Sequence, residues 1–237
     1  MIRHLALLTA WLSGVGVAVG ALFWLLVNTP DANALMLAVS AASLVAMFVT
    51  AAVGVNTAVL VGDGAPFSLA TIGRAVTHTP RFALALAVGA AVWALVGRLD
   101  LWVAASSGEI AAWFIARLGV SDAEWLLTLL RWLGSWARFA LAPVLVVALV
   151  GGGGVRRRLS GRTVPLVTGA WLALIVLPWR YATWTPDWQA GTWMEPVLAA
   201  ARLGIIFVLS ASAAAVMVLA AARPSPAPMT DAEGRPG

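Results

Sequence analysis

Between residues 5 and 222 this chain is a succession of six apolar stretches joined by short polar connections. A helix needs about twenty predominantly apolar residues to cross the hydrocarbon layer of a bilayer, because each residue advances it by only ~1.5 Å. The six runs fall at about residues 5–27, 34–61, 82–97, 124–150, 164–180 and 196–222. Recurring runs of this kind constrain the fold more than any other feature, since in lipid the backbone must satisfy its own hydrogen bonds and an apolar chain does so as helix. The expected fold is therefore all-α: a polytopic transmembrane helix bundle of six spans over residues 1–222, with 223–237 as a disordered cytoplasmic tail.

Composition agrees with that reading. Hydrophobic residues make up 62% of the chain and charged residues 11%, against about a quarter charged in soluble domains. The fifteen basic residues are all arginine. Without lysine there is no amine for a Schiff base and no residue to complete a phosphate-binding loop at the glycines 151–154. Without cysteine, disulfides, thiolate metal sites, iron–sulfur clusters and covalently attached haem are excluded within the chain. The net charge of +5 is of the size that cytoplasmic loops of membrane proteins collect, so nucleic acid is not an expected partner.

The first run follows Arg3 and His4 as a signal peptide would, but about twenty-three residues exceed the usual h-region, so a retained helix is expected. Residues 101–119 are apolar but interrupted by Ser106, Ser107, Glu109 and Arg117, with Ile110, Trp113, Phe114 and Leu118 at helical spacing. This pattern describes an amphipathic helix lying in the interface. A seventh span would carry Glu109 near its middle. Ser121 and Glu124 match a capping box that starts the fourth span.

Orientation follows from the arginines, which accumulate on cytoplasmic loops. With the N-terminus inside, Arg3, Arg74, Arg81, Arg156, Arg157, Arg158, Arg162, Arg223 and Arg235 are cytoplasmic, against Arg98, Arg117 and Arg180 outside. Both termini are then cytoplasmic. The outer side gathers Trp102, Trp113, Trp125, Trp179, Trp184, Trp188 and Trp193, as indoles favour the headgroup layer. The arginine-only usage suggests a GC-rich bacterial source, so a bacterial cytoplasmic membrane is the expected location.

Several features carry possible chemistry. Gly16 and Gly20, with Ser13 a turn earlier, form a small-residue face, read as internal packing in preference to a dimer contact. Ser43, Thr50 and Thr57 recur every seven residues, so interhelical hydrogen bonds are expected from them. In the fourth span Thr128, Arg131, Ser135 and Arg138 share one face. Arg138 lies fourteen residues past Glu124, about 21 Å along the axis and so near mid-bilayer. Arg202, two turns into the last span, is expected at a similar depth to Arg131, where the two could converge.

Past Glu124 at the very start of the fourth, no carboxylate falls inside these six runs, so Arg138 needs another source of compensation. Pro143 disrupts the bond to the carbonyl of Phe139 and so offers one acceptor. Local structural satisfaction is the first reading, an anion or lipid headgroup the second, a carboxylate from a partner subunit the third. The candidate anion, lipid or partner site is accordingly Arg131, Ser135, Arg138 and Arg202. Arg156, Arg157, Arg158 and Arg162 form a candidate surface for anionic lipid, although topology alone accounts for them.

No catalytic constellation, metal-ligand cluster or cofactor motif stands out. The expectation is a non-catalytic membrane subunit, an accessory or assembly component of a larger respiratory, photosynthetic or transport complex. It would meet membrane lipids and other membrane proteins, docking through Trp113, Phe114, Trp184, Trp188 and Trp193. The alternative is a channel or permease for an anionic solute or lipid, built on the Arg131/Arg138 face.

Overall fold

The computed structural model describes residues 2–30, 33–119, 124–152, 163–182 and 194–222. Ser121 of the expected capping box, Arg156, Arg157, Arg158, Arg162, Trp184, Trp188, Trp193 and the tail after Ala222 lie outside them. Among the described residues the structure is helical, without strands. Six helices are long and apolar enough to cross a membrane: α1 (Ile2–Asn28), α2 (Ala34–Gly62), α4 (Thr79–Ala105), α6 (Glu124–Gly151), α7 (Thr163–Arg180) and α8 (Met194–Ala221). Among the described residues two short helices stand beside them, α3 (Leu69–Thr77) and α5 (Ser107–Leu118).

Local chemistry sets the boundaries. Asn33 caps α2 by accepting from the Met36 amide at 3.0 Å, which satisfies an amide that has no intrahelical partner. Ser68 caps α3 in the same way through Thr71. α5 ends at Gly119, whose φ of +64° is the left-handed conformation that a glycine adopts at low cost. α5 has twelve residues, about 18 Å of helix, too short to cross. The region 101–119 is thus not a seventh span.

Two boundaries differ from the sequence reading. The span expected at 82–97 runs from Thr79 to Ala105, so the expected interfacial helix loses its first residues to α4 and begins at Ser107. Arg98 and Asp100 stopped the apolar count, yet neither breaks a helix. The polar connection containing Arg74 also folds, as α3, because Thr71 and Ala75 turn inward on one face against α2.

Two of the spanning helices change pitch. α6 is π-helical over Ala137–Leu141 and α7 over Leu172–Val176. In each a proline stands two residues beyond, Pro143 and Pro178. A proline ring collides with the carbonyl four residues back, here Phe139 and Leu174, and donates no hydrogen bond to it. Widening the preceding turn relieves that collision, so both π segments follow from the prolines.

α1 packs between α2 and α8, α4 lies along the second half of α6, and α7 lies against α8. The buried core is concentrated at one end. Leu8, Ala58, Val61, Phe82, Ala85, Val150, Val218 and Ala221 meet there, from the start of α1 and α4 and the end of α2, α6 and α8. A second cluster, Ala140, Val144, Val167, Trp171 and Met217, sits deeper between α6, α7 and α8. Six alternating crossings put the first and last helical residues at this same closed end. At the opposite end, carrying α5, the helices splay, and the three larger clefts described next all open there.

Candidate functional site

Asp100 and Arg138 meet in the splayed half. Asp100 belongs to α4, five residues before its end, and Arg138 to the π segment of α6. Arg138 Nη2 donates to Asp100 Oδ2 at 2.6 Å. The expectation that no carboxylate shares the spans with Arg138 is therefore corrected: the compensating charge is internal. The reach has a simple cause. Side chains on a helix lean toward its N-terminus, and the N-terminal end of α6 is the splayed end, so Arg138 rises from mid-span toward the last turns of α4.

The pair is seated on two glycines. A Cβ at Gly134, one turn before Arg138, would collide with the Asp100 carboxylate, and a Cβ at Gly97, one turn before Asp100, would stand 3.4 Å from Arg138 Nη2. Each charged group thus lies against the bare backbone of the opposite helix. The Trp93 ring centre is 5.8 Å from Arg138 Cζ, within reach of a cation–π attraction, and Trp93 is itself fixed edge-to-face against Phe139 at 5.1 Å. Both charged side chains keep partial access to their surroundings, at 23% for Arg138 and 33% for Asp100.

The expected four-residue stripe divides. Arg138 and Gly134 face α4, whereas Arg131 and Ser135 border a cleft against α7, and Thr128 is exposed. Arg138 lies inside the widened turn, which alters the register that constant helical spacing would give. Arg131 and Arg202 do not converge. Arg202 lines a different cleft, of 270 Å³, with Leu177, Pro178 and Ile205, and α7 stands between the two arginines with different residues on each.

Two larger clefts flank α6. The first, of 740 Å³, lies between α4, α5 and α6, lined by Leu99, Trp102, Ile110, Trp113, Phe114 and Leu133, with Asp100 and Glu109 at its polar margin. It contains both described members of the expected docking set, Trp113 and Phe114, stacked edge-to-face at 5.0 Å. The second, of 420 Å³, lies between α6 and α7, lined by Arg131, Trp132, Ser135, Phe139, Trp171, Ile175, Val176, Trp179 and Arg180. A third feature, at the closed end, is a 40 Å³ cavity bounded by Asn56, Asp63, His78 and Arg81, room for about one water molecule.

The small polar residues do less between helices than their spacing implied. Ser43 donates to Val39 of its own helix and the buried Thr57 hydroxyl has no protein partner, a correction to the interhelical bonds expected of them. The interhelical bonds come from residues that sequence spacing did not single out. Trp11 Nε1 donates to the Gly54 carbonyl at 2.9 Å, Trp136 Nε1 to Thr168 Oγ1 at 3.0 Å, and Asn56 Nδ2 to the Ala75 carbonyl at 2.9 Å. Gly16 does serve internal packing, against Phe207 of α8, while a Cβ at Gly20 would meet open space.

These elements define a multi-pass membrane helix bundle with the Arg138–Asp100 pair set between two of its spans. The chain matches no protein-family model, no curated protein and no solved structure.

Proposed function

We propose that this chain is a non-catalytic integral membrane subunit that receives an apolar helix of another membrane protein in its splayed half. The observation that carries the reading is the 740 Å³ cleft under α5. That helix buries none of its own residues, leaving Trp113 exposed at the cleft and Ile115 and Leu118 exposed elsewhere along it. Exposed apolar surface arranged as a cleft, and not as a smooth lipid-facing wall, suits an inserted side-chain ridge from a neighbouring helix.

The arginine imbalance supports placing the closed end in the cytoplasm and the splayed end outside, with both termini cytoplasmic, in a bacterial cytoplasmic membrane. Trp102, Trp113, Trp125 and Trp179 are all exposed around the splayed end, where indoles sit well at headgroup level.

Purification from native membranes in mild detergent tests the reading. The wild-type chain should carry a stoichiometric membrane protein, and the double variant Trp113→Ser/Phe114→Ser should lose it while still inserting. A wild-type chain that purifies alone, or a double variant that keeps its partner, overturns the subunit role.

A further inference from the structure

At the closed end, the last turns of α2, the α3–α4 corner and the end of α6 enclose a cavity of 40 Å³, whose wall carries Asn56, Asp63, His78 and Arg81 beside the apolar Val150. Asn56 is only 1% exposed. Its Nδ2 donates to the Ala75 carbonyl at 2.9 Å, and this settles the orientation of the amide, because a backbone carbonyl only accepts. Ala75 is not part of the cavity wall. The polar atom that Asn56 offers to the cavity is therefore Oδ1, and among the described residues nothing donates to it. A buried carbonyl oxygen normally finds a partner, since leaving it unsatisfied forfeits the bond that it made to water in the unfolded chain.

We infer that this cavity is the site of one ordered water molecule that joins α2 to the α3–α4 corner through Asn56 Oδ1, independently of the subunit reading above. The volume exceeds the ~10–15 Å³ that a single water needs and leaves no room for an organic ligand. The wall then selects by chemistry. Asn56 Oδ1 calls for a donor, and so does the Asp63 carboxylate, which takes several hydrogen bonds at once whatever else it holds. The Arg81 guanidinium donates and the His78 ring does either. An anion would face the oxygens of Asn56 and Asp63, and a metal cation would face Arg81. Water both donates and accepts. It gives one hydrogen to Asn56 and the other to Asp63, and accepts from Arg81 or His78, which meets the several polar partners that a buried water requires. Both ends of the Asn56 amide are then used: the amino group holds the last turn of α3 directly, and the oxygen holds the start of α4 through the water.

A density map of the wild-type chain, fine enough to show ordered waters, provides the test. It should hold one peak at hydrogen-bonding distance, about 2.5–3.0 Å, from Asn56 Oδ1 and in reach of a second polar group of the wall. Asn56→Leu, similar in volume but without an acceptor, should lose that peak while ordered waters on the outer surface of the closed end stay. Water-to-protein magnetisation transfer in solid-state NMR gives a second reading on the wild-type chain in lipid and covers the case in which the leucine variant does not fold. It should reach the buried Asn56 side-chain amide. A map with ordered waters elsewhere at the closed end and none at Asn56, a peak that persists in the leucine variant, or no transfer to the Asn56 amide would each overturn the assignment. So would a peak ringed by six or more oxygens at about 2.4 Å, the signature of a bound metal cation.

Discussion

Arg138 and Asp100 bind each other across the α4–α6 interface, Nη2 to Oδ2 at 2.6 Å, and each lies against a glycine of the opposite helix. The reciprocity makes the pair a fixed cross-brace in the half of the bundle that has least buried core. A central arginine alone costs ~2.5–3.5 kcal/mol on insertion scales, and the internal carboxylate offsets that cost without any external ligand.

Removing either partner should leave the other charge without compensation. Asp100→Asn or Arg138→Leu is expected to lower stability by about 2–4 kcal/mol, at or below the usual range for a buried pair because both groups retain some access to water. Replacing both, Asp100→Leu with Arg138→Leu, should recover most of the loss. Thermal unfolding in detergent, read as a double-mutant cycle, checks this; additive losses would mean the two residues do not depend on each other.

The glycine seats give a graded expectation. Gly134→Ala forces a methyl group onto the Asp100 carboxylate, so it should cost about 1–3 kcal/mol and weaken the pair. Gly97→Ala meets only the end of a flexible arginine at 3.4 Å and should cost clearly less. Equal losses at both positions, measured by the same unfolding assay, would contradict the geometry.

At the closed end, Asn56 ties α2 to the last turn of α3 through the Ala75 carbonyl. Asn56→Ala should destabilise by about 0.5–1.5 kcal/mol, since it removes a buried interhelical hydrogen bond while the Ala75 carbonyl keeps the His78 amide as a donor. Hydrogen exchange should accelerate in α3 before the remainder of the bundle. Uniform acceleration would show that α3 is not held by this bond.

Topology can be read with single cysteines because the chain has none of its own. Gly108 in α5 and Gly73 in α3 are exposed, and a Cβ at either would meet open space. Gly108→Cys should react with an impermeant reagent on intact cells. Gly73→Cys should react only after the membrane is opened. Labelling of both under the same condition would rule out six alternating spans.

The number of spanning helices was legible in the sequence because hydropathy is a local property: lipid demands about twenty apolar residues in a row, and six runs supply them. The separateness of the helix containing Trp113 was legible in its interrupted apolar pattern. The π segments were partly so: Pro143 marked a disturbed carbonyl at Phe139, while Pro178, at the same distance from its own π segment, is an equivalent signal that spacing alone makes readable. The partner of Arg138 was not. Asp100 looked like the end of a span because a charge lowers the local hydropathy, although the two small residues that receive the pair, Gly97 and Gly134, stand a turn from their charged neighbours. Which residues face each other across two helices separated by more than thirty positions is set by how α4 and α6 cross and by the widened turn that rotates Arg138 away from Arg131. The sequence by itself determined that this chain forms membrane-spanning helices; only their packing decided that Asp100 neutralises Arg138.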